Sequence, residues 1–229
     1  MRGKGFKLSR ILLYVGIIVA CVIILYPYFV MVITASRTNA EMYDTRAGIL
    51  PEVWQLDNFI KIWSEAPIIR YLGNSILVAG GASLLAIVCG IPAAYALSRM
   101  KFKGKAFFMG AVIMSQMFSP VVLLVGIYRM MVNMGLNNSI FGLILLNAAF
   151  NQAFAIWLLR GTFVSISPEM EQAACIDGCN TVEALIRILL PMAAPGIVTT
   201  LIFVFINAWN EYTISTVLIS TPTNKPITV

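Results

Sequence analysis

Residues 11–36 contain no charged side chain. A helix of about 20 apolar residues is long enough to cross the hydrocarbon of a bilayer. Further runs of this kind lie at 71–98, 106–128, 140–159 and 196–219, with Glu211 the only charged residue inside any of the five. Lipid offers the backbone no hydrogen-bond partner, so uninterrupted apolar runs of this length must satisfy their own amides as helices. The fold class is therefore all-α: a polytopic transmembrane helix bundle with five predicted spans. Composition agrees, being 59% hydrophobic and 11% charged, against about 25% charged in a soluble domain. The first run follows Arg2, Lys4, Lys7 and Arg10. It exceeds the 7–15 apolar residues of a signal peptide and ends in no small-x-small cleavage pattern, so it reads as a retained anchor. The whole chain, 1–229, forms one transmembrane domain.

The net charge of +6 does not mark a nucleic-acid surface. The basic residues sit at the ends of apolar runs, where topology signals belong. There is no histidine among the 229 residues, which removes the commonest general base and metal ligand. Cys21 and Cys89 fall in apolar runs, where a free thiol acts as a small hydrophobe. Cys175 and Cys179 lack the further ligands that a zinc site needs. No metal site and no catalytic constellation are expected.

Arg2, Lys4, Lys7 and Arg10 precede the first span, and Arg99, Lys101, Lys103 and Lys105 follow the second, both groups without an acid. Positive charge in short loops marks the cytoplasmic side. The N-terminus and the 99–105 loop are thus expected inside, and the mixed-charge segment 37–70 outside. By parity the polar stretch 160–195 is inside and the tail from Ser220 outside.

That polar stretch contains "EQAACIDGCNTVEALIRILLP", residues 171–191. Ser167-Pro168 predicts an N-cap followed by proline at the first helical position. Glu169 and Glu171 suit the start of a helix dipole. Asp177-Gly178 ends the helix, with Gly178 free to turn left-handed. Asn180 and Glu183 form a capping-box pattern for a second helix. Val182, Leu185, Ile186 and Leu189 give that helix an apolar face, and Pro191 and Pro195 punctuate before the fifth span. Residues 165–191 thus read as a helix-turn-helix at the membrane surface, either a docking element or a plain amphipathic connector.

The same stretch resembles the "EAA" loop of the inner-membrane permease subunits of ABC importers. Gln172-Ala173-Ala174, Gly178 and Ile188-Leu189-Leu190-Pro191 match its spacing, with Gln172 where the family has glutamate and Glu171 just before it. An amide cannot form a salt bridge, so Glu171 is the substitute for an ionic contact with the ATPase. "NSILVAGGASLLAIVCGIPAAYALSRMKFKGK" and "FINAWNEYTISTVLIS" are similar to the carbohydrate branch of the family, related to maltose transporters. The resemblance implies a subunit of an ATP-driven, binding-protein-dependent importer in a bacterial plasma membrane, for a sugar or oligosaccharide. It implies as partners a second permease subunit, a cytoplasmic ATPase dimer, an extracytoplasmic solute-binding protein and membrane lipid. It further implies no cofactor in this chain, with ATP and Mg held by the ATPase; the sequence itself has no phosphate-binding loop. ATPase coupling would fall to Glu171, Gln172, Ala173, Ala174, Gly178, Ile188, Leu190 and Pro191. The carbohydrate branch implies six spans, so a sixth would be missing and the sequence incomplete at its C-terminal end. The other classes open are an ion-coupled secondary transporter and a non-transport membrane scaffold.

Polar side chains at mid-depth are candidates for a translocation path. These are Gln116 in the third span, Asn147 and Asn151 in the fourth, and Asn207, Asn210 and Glu211 in the fifth. The last three fall on one helical face by spacing. Ser115 and Ser119 fit interhelical hydrogen bonding instead, and Pro120 should disrupt the third span. Trp209 and Tyr212 fit either stacking on a sugar or an interfacial aromatic belt. In the second span, Ala82, Ala86, Gly90, Ala94 and Ser98 make a small-residue stripe for close helix packing.

Overall fold

The computed structural model describes residues 4–42, 48 and 50–229. Arg2, the side chains of Lys4 and Lys7, and Asp44 and Arg46 of the mixed-charge segment lie outside the described residues. The chain divides into two compact units, Met1–Pro67 and Ile68–Val229.

In the first unit, α1 spans Lys4–Ala35. It is apolar all round, and nearly all its described side chains are exposed, with Ile33 buried. A helix apolar all round belongs in a membrane or a protein interior, not in water. Two short helices follow, α2 (Asn39–Met42) and α3 (Asn58–Glu65). The last carbonyls of a helix lack internal donors. Here Asn58 Nδ2 donates to Ala35 O at 3.0 Å and Arg37 O at 3.1 Å, and Gln55 N donates to Ser36 O at 2.8 Å. These bonds fold α3 back against the end of α1, where Phe59 and Ile62 line a groove with Val30, Met31 and Met42.

The second unit is built on three long helices. The first is α4 (Ile68–Arg99). After it come α5 (Lys105–Ser115) and α6 (Pro120–Asn133), then the second long helix, α7 (Ile140–Ser165). Two short pieces follow, α8 (Pro168–Ile176) and α9 (Thr181–Ala184). A π-helical turn, Leu185–Leu189, joins α9 to α10 (Leu190–Trp209), and α11 is Thr213–Leu218. Among the described residues there are helices and no strands.

The predicted small-residue stripe is where these helices meet. Ala82, Ala86 and Ala94 are fully buried. Ala82 packs with Ala148 and Ala208, Ala86 with Ala155 and Val204, and Ala94 with Leu159 and Ala193. Those pairings make α7 parallel to α4 and α10 antiparallel to both. A Cβ added at Gly90 would lie 3.0 Å from Leu159 Cδ1, so glycine there permits the approach. The contact of α10 with α7 is also close: a Cβ at Gly196 would overlap the Thr162 side chain.

Among the described residues, four unbroken helices are long and apolar enough to cross a membrane: Arg10–Ala35, Ile68–Arg99, Ile140–Ser165 and Thr181–Trp209. The bounds of two predicted spans change. The third, 106–128, is the bent pair α5 and α6, which together are long and apolar enough to cross as one broken span, 95° between its halves. Pro120 is the cause: without an N–H it cannot continue α5, and it sits instead at the start of α6 behind an extended Ser119. The fifth, 196–219, starts earlier and stops earlier. Pro191 and Pro195 do not interrupt it. Leu190 N bonds to Leu185 O in the π turn, which places Pro191 in the first turn of α10, where a missing N–H is tolerated. The helix then runs through Pro195 to Trp209 and breaks at residues 210–212.

At the far end from α8, the segment after α11 is tied down. Asn74 Nδ2 donates to Thr223 O and Lys225 O, and Ser75 Oγ accepts from Ile227 N. Asn138, in a left-handed conformation at φ 58°, accepts from Ser220 N and Thr221 N through Oδ1.

Candidate coupling site

The predicted helix-turn-helix is present, with its caps. Ser167 Oγ accepts from Glu169 N at 3.4 Å, and Pro168 opens α8. Gly178 has φ +93°, the left-handed turn that the Asp-Gly pair predicts. Cys179 N donates to Ala174 O, closing the end of α8. At Asn180 the capping box is complete: Glu183 N donates to Asn180 Oδ1 at 2.9 Å, and Asn180 N donates to Glu183 Oε2 at 3.0 Å. The second helix, however, is no separate unit. Thr181 begins a continuous helix to Trp209.

The element has two faces. On α8, Ala174 is buried, while Gln172 and Ala173 are exposed and Ile176 stands 86% exposed. The expected apolar face of the second helix is split. Leu189 is fully buried and Leu185 packs beside it, but Val182 and Ile186 project away. Ile188 and Leu190 are half-buried, and Gly178 and Pro191 exposed. The exposed side chains include the apolar Met170, Ile176, Val182 and Ile186, set among the polar Gln172, Asp177 and Arg187.

Glu171 does not lie on that outward side. Its carboxylate accepts a hydrogen bond from the Tyr95 hydroxyl and pairs with Arg99 Nε at 3.3 Å. Both partners belong to the last turns of α4. The predicted substitute for the family's glutamate is therefore engaged within its own chain. Arg99 Nη2 also donates to Ile166 O at 2.8 Å, just past α7, and Arg160 Nε of α7 donates to Leu97 O of α4 at 3.4 Å. Cations placed on the last carbonyls of helices are favoured by the helix dipole. Tyr95 packs edge-on against Phe163, centroids 6.3 Å apart. Sequence reasoning read Arg99 only as a topology charge and missed Tyr95, whose hydroxyl inside an apolar run was the available signal.

The candidate path residues lie on three different elements, and Gln116 reaches α7 one residue from Asn151. Asn147 is buried and Nδ2 donates to Leu143 O at 3.0 Å; Asn151 Nδ2 donates to Asn147 O at 2.9 Å. Gln116 is exposed, with Nε2 donating to Phe150 O at 3.4 Å. Asn207 and Asn210 are exposed. The shared face with Glu211 is corrected, because α10 ends first. Glu211 instead caps α11, accepting from Ile214 N at 2.7 Å and Ser215 N at 3.1 Å. A helix start leaves such amides without internal partners.

The fold is that of a polytopic, all-α membrane protein with a capped helix pair beyond one end of its spans. A family model described as "Binding-protein-dependent transport system inner membrane component" matches residues 86–228, and the chain belongs to that family. Inner membrane ABC transporter permease protein YcjP of Escherichia coli (strain K12) is 31% identical over 224 residues, 97% of this chain and 80% of the relative. Sulfoquinovosyl glycerol transport system permease protein SmoH of Agrobacterium fabrum is 32% identical over 205 residues, 90% of this chain and 72% of the relative. A crystal structure of a bacterial ABC transporter involved in import of the acidic polysaccharide alginate contains a subunit of the same fold. Its TM-score is 0.81 at 23% identity, covering 99% of this chain and 80% of that one. The protein is a multi-pass inner-membrane permease component.

Proposed function

We propose that this permease serves an ATP-driven importer of a sugar or oligosaccharide, and that the outward side of α8 and α9 is where a cytoplasmic ATPase subunit takes hold. The observation that carries this is the two-faced helix pair. One side, with Ala174, Ala184 and Leu189, is buried in the bundle. The other presents Ile176, Val182 and Ile186 to whatever docks there. A plain connector has no reason to hold a rigid turn at Gly178 and two capped starts around an exposed apolar side. The compound in the name of SmoH, sulfoquinovosyl glycerol, supports the carbohydrate class. On this reading ATP and Mg belong to the partner, a second permease subunit completes the path, and a solute-binding protein delivers cargo at the opposite end. The N-terminus and residues 160–195 are cytoplasmic. Ile176→Asp tests the docking side. A charge in a desolvated apolar contact costs several kcal/mol, so co-purification with the cognate ATPase should be lost while the subunit still reaches the membrane. Normal co-purification would sink the assignment. Uptake in proteoliposomes that needs an ion gradient and no ATP would instead make the protein part of a secondary transporter.

A further inference from the structure

Residues one apart on a helix point about 100° away from each other, while residues three or four apart share a face. On α8 this separates Glu171 from Gln172. Glu171 shares its face with Ala174, which is buried at 1% exposure; Gln172 shares its face with Ile176, exposed at 86%. An acid at a helix start needs no partner beyond the dipole and would ordinarily remain in water. Glu171 instead has a side chain only 17% exposed, paired with an Arg99 side chain 11% exposed. Both of its oxygens are used: Oε1 by the Tyr95 hydroxyl, Oε2 by Arg99. Arg99 in turn donates to Ile166 O, in the two-residue link between α7 and α8.

We propose that Glu171 is a positioning residue for energy coupling: it clamps α8 to the last turns of α4, so that displacement of α8 moves α4 directly. This rests on the docking role assigned above to the outward side of α8. The element then has two outputs. One is covalent, from α9 through the π turn into α10. The other is the clamp, from α8 across to α4, a helix remote from it in sequence. Without the clamp α8 is held by its flanking links and the packing of Ala174. It could then follow a docked partner while α4 stays behind. Arg99 would also be left buried with an unpaired charge, which is costly.

The test uses the complete transporter, the permease pair with its ATPase, reconstituted in proteoliposomes with its solute-binding protein. The readouts are co-purification of the ATPase and solute carried per ATP hydrolysed. Glu171→Gln keeps an acceptor for Tyr95 and removes the ion pair. It should retain the ATPase and lower solute per ATP about tenfold, because it breaks the attraction between two largely buried charges. Tyr95→Phe, which leaves the ion pair intact, should lower it about threefold. The transposed double variant, Glu171→Arg with Arg99→Glu, should carry more solute per ATP than either single reversal, because the pair is restored within one protein. Unchanged solute per ATP in E171Q would overturn the clamp. So would loss of the ATPase from E171Q, which would make Glu171 a direct docking contact. Failure of the docking assignment itself reads out separately, as normal ATPase retention by Ile176→Asp.

Discussion

Gly178→Val isolates the backbone of the proposed docking element from its contacts. An added Cβ at Gly178 meets no atom within 4 Å, so it clashes with nothing else in the fold. What remains is φ +93°, a conformation that costs an L-residue about 1–2 kcal/mol, with β-branched residues at the upper end. About 2 kcal/mol shifts the local preference of the turn roughly thirtyfold. Any substituent on Cα also restricts the unfolded state, which returns about 0.4–1 kcal/mol. Global stability should therefore fall by only about 1–1.5 kcal/mol, while the angle between α8 and α9 is lost far more often. The assay is the level of the subunit in membranes, by immunoblot, beside recovery of its ATPase on purification. The valine variant should reach the membrane normally and recover several-fold less ATPase. Gly178→Asn should behave close to the unsubstituted protein, since asparagine tolerates left-handed backbone. Wild-type recovery with valine would refute the reasoning. So would an equal loss with asparagine, because side-chain bulk and not backbone would then be responsible.

Asn138 tests the segment beyond α11: Asn138→Gly keeps the positive φ but removes the side-chain bonds to residues 220 and 221. Hydrogen exchange at those amides should speed up by an amount equivalent to about 1–2 kcal/mol, and Asn138→Ala should add about 1 kcal/mol for the backbone; slow exchange in both would show that the segment is held otherwise. Orientation is tested with single cysteines at Lys103, Glu183 and Asp57 in a background without native cysteines. A membrane-impermeant thiol reagent applied outside should reach only the cysteine at 57, and labelling at 183 would invert the topology.

Patterns that depend on a few neighbouring residues were legible in the sequence. Ser167-Pro168, Asp177-Gly178 and Asn180 with Glu183 each specify a local backbone state, and each is found. The alanine stripe of α4 was legible because close packing demands small side chains whatever the partner. Span ends were less so. Pro191 and Pro195 stop helices in most contexts, yet Pro191 follows a π turn that no composition signals, and the helix runs on through Pro195. Glu211, Asn207 and Asn210 share a face only if α10 persists to residue 211, and it stops at Trp209. The clamp joins Tyr95 to Glu171, 76 positions apart in the sequence. No periodicity carries such a pairing. Which way Glu171 faced depended on where α4 ended in space.

The helix from Thr181 to Trp209 has 29 residues, about 43 Å at 1.5 Å per residue. The hydrocarbon it crosses is about 30 Å thick. Some two turns therefore project beyond the bilayer as part of the same rod. One close lateral contact, Gly196 against Thr162, lies about 23 Å from one end and about 20 Å from the other at that rise. A rod pivoting there has a gearing ratio close to one. A stroke at α9 arrives at Trp209 reversed in direction and nearly undiminished in size. On the docking role proposed for α8 and α9, the partner's stroke length, and not any amplification within this subunit, sets how far the distant end of α10 travels.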